Sequence, residues 1–269
     1  IRLQEIEIEV RTSVIPGAYG ESIVMRILNP KTIGIPLEEL GMNTPLFEAI
    51  DREIHKPNGM LLNTGPTGSG KTTTLYAILK RLQTPKIKII TIEDPIEYHL
   101  PGITQTQVER GEGYTFLSGL RSSLRQDPDV IMVGEIRDKE TAETAINAAL
   151  TGHLVLSTIH TNNAAGAVPR LIDMGIEEFL VSSSVNVIAA QRLVRVICER
   201  CKESHTFSKE ELDLVEFDPA LAKIVKEISS KDELKSVRVY KGSGIEGKNK
   251  TCTRCGGVGY SGRTGIFEV

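Results

Sequence analysis

The eight residues Gly65-Pro66-Thr67-Gly68-Ser69-Gly70-Lys71-Thr72 fill every fixed position of the pattern G-x-x-x-x-G-K-[ST]. Ahead of them, Gly59 to Thr64 reads as a short buried strand, and Thr73 to Lys80 behind them reads as a helix. Strand, loop and helix in that order are the context the pattern needs. Three glycines let the backbone curl into a concave nest of N–H donors, and the helix N-terminus adds the positive end of its dipole. Such a nest takes a phosphate. The candidate nucleotide-contacting residues are therefore Gly65, Pro66, Thr67, Gly68, Ser69, Gly70, Lys71, Thr72 and Thr73. Lys71 would serve as a point charge on the terminal phosphates, and the Thr72 hydroxyl as a ligand of Mg²⁺. The bland alternative, a glycine-rich turn that matches by accident, does not account for the flanking strand and helix.

From Lys56 onward short apolar runs alternate with helical stretches. After the loop come Ile87 to Ile92, Val130 to Val133 and Leu154 to Thr158, each bounded by turn signals. Runs of this kind indicate a mainly parallel sheet covered on both faces, the α/β class. In such sheets ligands gather beyond the carboxyl ends of the strands. Upstream, Ile6 to Val14 and Ser22 to Leu28 alternate as a hairpin whose turn is Pro16 to Gly20, and Pro45 opens an amphipathic helix running to Ile54. A small α/β domain is expected over 1–55 and the larger one over 56–269. Arg11 and Arg26 lie on the two hairpin strands, where pattern alone makes them solvated charges.

Two acidic groups follow strand ends. Glu93 and Asp94 close the run at Ile87, where carboxylates hold Mg²⁺ or orient water, unless Asp94-Pro95 is a plain turn. Gly134-Glu135 closes the run at Val130, with glycine where phosphate-loop enzymes commonly carry a metal-binding Asp. Glu135 is thus the first choice as general base and Glu93 the second. Asp138 reads as the N-cap of a helix over Lys139 to Leu150. Arg121 and Arg125, four apart on a helical stretch, share one face, either solvated or in contact with phosphate or a neighbouring subunit. His160 follows the strand at Leu154 and is placed to contact a γ-phosphate; His153 precedes that strand. Glu177 to Val196 reads as one long helix.

Cys198-x-x-Cys201 and Cys252-x-x-Cys255 have the spacing of two zinc knuckles. Four thiolates leave no open position for chemistry, so the metal would be a structural staple on an insertion over 197–256; four unmetallated buried cysteines are the alternative. The net charge of −3 supplies no basic field of the kind that drives nucleic-acid binding. No apolar run reaches 18 residues and no export signal opens the chain, so a cytoplasmic place without membrane insertion is expected. The chain begins in a strand-like run and ends at Val269 without a stop signal, as a piece of a longer one would.

Taken together, these motifs resemble the ATPases of bacterial type II secretion and of type IV pilus extension. The resemblance rests on Gly65 to Thr72, Thr91 to Glu97, Leu124 to Asp138, Thr151 to Asn162 and Ala190-Gln191-Arg192-Leu193, and covers nearly the whole chain. It implies a RecA-like P-loop domain behind a small PAS-like one, working as a homo-hexamer with ATP and Mg²⁺ at the site and Zn²⁺ on the cysteines. By the same resemblance Arg11 and Arg26 reach nucleotide phosphates, and His153 and His160 belong to a histidine box. It also implies peripheral attachment to the inner membrane through a platform protein. The cysteine pairs favour extension or secretion over pilus retraction. A DNA-transfer ATPase and a slow nucleotide-binding switch are the alternatives.

Overall fold

The computed structural model describes residues 2–3, 6–7, 9–28, 34–229, 238–246 and 250–269. Strands β1 (Arg2–Leu3) and β2 (Ile6–Glu7) pair antiparallel, as do β3 (Glu9–Gly17) and β4 (Gly20–Leu28). The expected hairpin is present with longer arms, its turn reduced to Ala18 and Tyr19. There follow α1 (Thr44–Ile54), β5 (Gly59–Thr64), α2 (Lys71–Leu82), β6 (Ile89–Glu93), β7 (Thr104–Gln107), α3 (Phe116–Ser123) and β8 (Val130–Val133). Then come α4 (Lys139–Leu150), β9 (Leu154–Ile159), α5 (Ala167–Asp173), α6 (Glu178–Ser184) and β10 (Val185–Ile197). The chain continues through β11 (Lys202–Thr206), α7 (Lys209–Phe217), α8 (Pro219–Ser229), β12 (Arg238–Gly242), β13 (Ile245–Glu246), β14 (Lys250–Thr251) and β15 (Tyr260–Glu268).

Seven strands form the main sheet in the order β15-β10-β5-β9-β8-β6-β7. From β10 to β7 every adjacent pair is parallel. Parallel strands need crossovers, and the helices that make them cover both faces, which is why β5, β6, β8 and β9 are buried throughout. Strand alternation then divides the core in two. Leu61, Met132 and Leu156 point to one face and pack with α1 and α2; Met60, Leu62, Ile131 and Val155 point to the other and pack with α4. Truncating a fully buried leucine such as Leu156 costs about 2–5 kcal/mol. Polar, half-exposed β7 closes one edge of the sheet.

Helix ends follow local chemistry. Asn43 caps α1 by accepting from the Leu46 N–H at 3.0 Å, with Pro45 in the first turn as expected. Asp138 caps α4 by accepting from Thr141 N at 2.8 Å, and the helix spans the expected residues.

One expectation is overturned. Residues 177–196 are not a single helix: α6 ends at Ser184 and the chain turns extended into β10. Ser183 and Ser184 donate back to the Phe179 and Leu180 carbonyls, and Val185 to Ile197 is rich in β-branched residues. The hydroxyls compete with the helix ladder, and the branched run pairs better along β5 than it coils.

The chain folds as two compact units, residues 1–193 with 265–269, and residues 194–264. In the first, Leu37, Leu40, Ile50 and Ile54 share one core with Leu75 to Leu82. In the second, β11 and β12 pair antiparallel, and Leu212 and Val215 make a small core with Phe207, Ala222 and Val225.

Candidate functional site

Because β5, β6, β8 and β9 run parallel, the loops that follow them share one edge of the sheet. Register sets Thr64 opposite Ile159, Ser157 opposite Val133, and Val133 opposite Ile92. Four sequence features far apart in the chain, at Gly65, Glu93, Glu135 and His160, therefore converge.

The phosphate loop takes the shape its glycines permit. Gly65, Gly68 and Gly70 have φ of 138°, 77° and 93°, a region that side chains resist. Gly70 is the N-cap of α2 and offers no capping side chain, so the first N–H groups of that helix face the loop. Lys71 Nζ donates to the Gly65 and Pro66 carbonyls at 2.8 and 3.1 Å. Burial lowers its pKa, and the Glu135 carboxylate opposes that shift. The Ser69 hydroxyl is buried without a hydrogen-bond partner, a polar group left inside an anion-shaped cradle. Thr72, half buried in the first turn of α2, and Thr73 beside it complete the loop side of the site. Donor set, backbone shape and orphaned hydroxyl all fit a nucleotide phosphate chain, with Thr72 placed to serve a cation on it.

Glu135 lies between a guanidinium and an imidazole. Its Oε1 lies 2.5 Å from Arg137 Nη2 and its Oε2 lies 3.4 Å from His160 Nε2. The side chain is 13 % exposed, and Oε2 is buried with no hydrogen bond of its own. The hydrogen bond to Glu135 raises Arg137 above the ordinary guanidinium range, with the Glu135 and Asp94 charges adding to it. Gly134 explains why no acid precedes Glu135: a Cβ there would stand 3.2 Å from both the Ile92 carbonyl and the Phe116 ring. The backbone is stitched across, Gly134 N donating to Ile92 O and Ile136 N to Thr158 O.

Glu93 has another situation. It is 2 % exposed, and it accepts from the Tyr76 hydroxyl, from Thr91 Oγ1 at 2.5 Å and from Gln105 Nε2 at 3.0 Å. Burial, then the Glu93 charge, pushes the Tyr76 phenol up, which keeps it a donor. The Tyr76 and Gln105 bonds tie β6 to α2 and β7, and the Thr91 bond lies within β6.

The remaining predicted residues are spread more widely. Arg11 donates to Glu97 Oε1 and Oε2 at 3.4 and 3.3 Å and to the Ile96 carbonyl at 3.3 Å, so it reaches the loop after β6. Arg26 stands directly opposite Arg11 in the hairpin register, and its side chain lies outside the described residues. Arg121 is exposed on α3, and exposed Arg125 in the turn after it donates to Ser122 Oγ at 3.2 Å; the chain there leads toward the amino end of β8. His153 precedes β9, hydrogen-bonded to the Ala148 carbonyl at 3.0 Å, and so stands at the sheet edge opposite the phosphate loop.

Sequence reading missed the residues that hold the loops together. Thr64 Oγ1 donates to the Thr161 carbonyl and accepts from Thr161 N at 2.9 Å, joining the phosphate strand to the histidine loop. Gln191 of β10 accepts from Thr74 Oγ1 at 2.7 Å and Asn63 Nδ2 at 3.2 Å. Gln191 stood in the Ala190-Gln191-Arg192-Leu193 stretch that carried the resemblance, with no role attached to it.

In the second unit the four cysteine sulfurs lie within 4.8 Å of one another. Cys198 Sγ is 3.9 Å from Cys252 Sγ, and Cys201 Sγ is 3.7 Å from Cys255 Sγ. Tetrahedral zinc with bonds of about 2.3 Å separates its sulfurs by about 3.8 Å. The cluster is compatible with zinc. Gly259 N donates to Cys255 Sγ at 3.3 Å, the kind of second contact that orients a thiolate.

The family sequence model described as Type II/IV secretion system protein matches residues 1–269. Type II secretion system protein E of Pseudomonas aeruginosa is 49 % identical over all of this chain and 49 % of its own length. The type IV pilus assembly ATPase PilB of Thermus thermophilus is 48 % identical over 98 % of this chain and 28 % of its own length. The chain thus spans about half the length, or less, of these relatives. Among solved structures, the pilus retraction motor PilT with bound ADP aligns with a TM-score of 0.63 at 30 % identity, over 86 % of this chain and 69 % of that one. The ATPase DotB of Legionella pneumophila aligns at 0.57 and 28 % identity, over 82 % and 64 %.

Proposed function

This chain belongs to the type II/IV secretion system protein family, and we propose on that premise that it is the ATP-hydrolysing part of a hexameric motor for pseudopilin or pilin assembly. The observation that carries the proposal is the convergence of Glu135 with the phosphate loop, its charge felt at Lys71 and its second oxygen left without a hydrogen bond. A buried carboxylate oxygen beside the phosphate cradle is what a water-activating base requires.

In this reading the N–H groups of Gly65 to Thr73 and the Lys71 ammonium hold the phosphates. Mg²⁺, when bound by the Thr72 hydroxyl, supplies neutralising charge to phosphate oxygens. Glu135 takes the proton of the attacking water. Arg137 and His160 keep its carboxylate aimed. Glu93 is a scaffold: its hydrogen bonds to Tyr76, Thr91 and Gln105 occupy both of its oxygens. Arg11, and Arg26 opposite it in the hairpin, would bring positive charge to the nucleotide, Arg11 leaving Glu97 to do so. Arg121 and Arg125 would meet a neighbouring subunit; His153 has no part at the nucleotide. Zn²⁺ on Cys198, Cys201, Cys252 and Cys255 would staple the second unit.

The functional division of 1–55 as a small amino-terminal domain and 56–269 as a RecA-like domain carrying a 197–256 insertion belongs to the same proposal. So do a partner platform protein in the inner membrane and a cytoplasmic place beneath it. Among the described residues no helix is long and apolar enough to cross a membrane.

The test is the steady-state ATPase rate per milligram against protein concentration, with Glu135→Gln as blank. A rate that climbs with concentration supports sites completed between subunits. A flat rate equal to the blank overturns ATP hydrolysis by this chain and leaves a nucleotide-binding module or a piece that lacks what it needs to assemble.

A further inference from the structure

Gln191 lies on β10, next to β5 in the sheet, and is 3 % exposed. Its carboxamide oxygen accepts both from Asn63 Nδ2 in β5 and from Thr74 Oγ1 in α2, the elements on either side of the phosphate loop. Its other atoms touch the loop. A Cβ built on Gly65 would stand 2.4 Å from the Gln191 carbonyl oxygen, and one on Gly70 2.8 Å from its Nε2. The first and last glycines of the loop thus rest on a single residue more than a hundred positions away.

We propose that Gln191 is a positioning residue for nucleotide binding: it sets the shape of the phosphate loop and turns a neutral donor, not an acceptor, toward the Gly70 end. The inference rests on the reading of Gly65 to Thr72 as a nucleotide site. Three features support it. The carboxamide is buried, so its bonds are strong and its loss leaves Thr74 and Asn63 unpaired. It bridges both flanks of the loop, so the spacing of β5 and α2 is read through it. Its Nε2 faces the anion cradle, where a negative group would oppose a phosphate. The next residue braces a second wall, Arg192 Nη2 donating to the Asn162 carbonyl in the histidine loop at 3.3 Å.

The experiment is titration of the full chain with a fluorescent ADP in Mg²⁺ buffer, with melting temperature measured in parallel. Gln191→Glu keeps the size and the accepting oxygen but replaces the donor with a charge. It is expected to raise the Kd for ADP at least about tenfold while the chain stays folded. That deficit, relative to wild type, should shrink as pH is lowered from about 8 to about 6 and the carboxylate protonates. Gln191→Met, of similar size and neutral, should weaken binding without the pH dependence. Thr74→Val, which removes one bond to the carboxamide, should weaken ADP binding about threefold and decides the matter if the Gln191 variants do not fold.

Wild-type affinity in Gln191→Glu, or weakening with the same pH profile in the Glu and Met variants, overturns the proposal. Lys71→Ala separates the two readings. Wild-type binding lost in Lys71→Ala but kept in Gln191→Glu removes this inference alone, whereas a wild-type chain that binds no ADP removes the nucleotide site and the inference with it.

Discussion

His160 Nε2 lies 3.4 Å from Glu135 Oε2, joining the loop after β9 to the loop after β8 beside the phosphate loop. The distance suits an ion pair when the imidazole is protonated and leaves the carboxylate oxygen free to accept from water.

Glu135→Gln is expected to cut the ATPase rate by about 10²–10⁴, the usual contribution of a general base, while the ADP affinity stays within a few-fold of wild type. Phosphate release at saturating ATP, set beside an equilibrium titration, measures both. Full activity in the variant would move the base elsewhere.

Glu93→Ala should act on stability. The change leaves the Tyr76 and Thr91 hydroxyls without this acceptor in a buried place, at about 1–3 kcal/mol for each group. Thermal melting and urea titration read the loss. A variant that melts like wild type but no longer hydrolyses ATP would restore Glu93 as a catalytic group.

Asp51 and Arg81 give a pH-dependent contribution. Arg81 Nε lies 2.5 Å from Asp51 Oδ1, its Nη1 2.5 Å from Glu38 Oε1, and its guanidinium stacks 5.1 Å from the centre of the Phe47 ring. The Arg81 hydrogen bond is the largest cause holding Asp51 below its ordinary 3.8. A carboxylate whose folded pKa is depressed contributes stability fully above its unfolded pKa and loses it as pH falls through the folded value. Asp51→Asn should therefore cost about 0.2–1 kcal/mol at pH 7, as partly exposed pairs do. The gap to wild type should close in acid below the ordinary carboxylate range. A gap that persists there would assign the effect to packing.

Purified under reducing conditions, the chain is expected to carry one zinc, and Cys252→Ser to lose most of it, as read by elemental analysis. Chelation should expose the 194–264 unit to proteolysis, because that unit's small cores offer little to replace a metal staple. An intact digestion pattern after complete metal removal would mean that the cysteines pack without needing it.

Much of the site was legible in the sequence because its residues sit in local patterns. The glycines of Gly65 to Gly70 answer to backbone conformations that only glycine adopts freely, and apolar runs ending at Glu93 and Glu135 mark strand ends in an alternating chain. The cysteine spacing, likewise, is a local signal for metal ligation. By itself, then, the sequence determined the phosphate loop, the α/β class, the choice between two acids and the four thiols. Tertiary structure decided the rest. Which acid is free depends on the partners that β7 and α2 bring to Glu93, and those lie in other elements. Residues 185–197 carry a pattern that suits a helix until β5 supplies an unpaired edge, and only that pairing puts Gln191 beneath the loop. Strand pairing and burial are non-local, and no window of the chain contains both members of the contact.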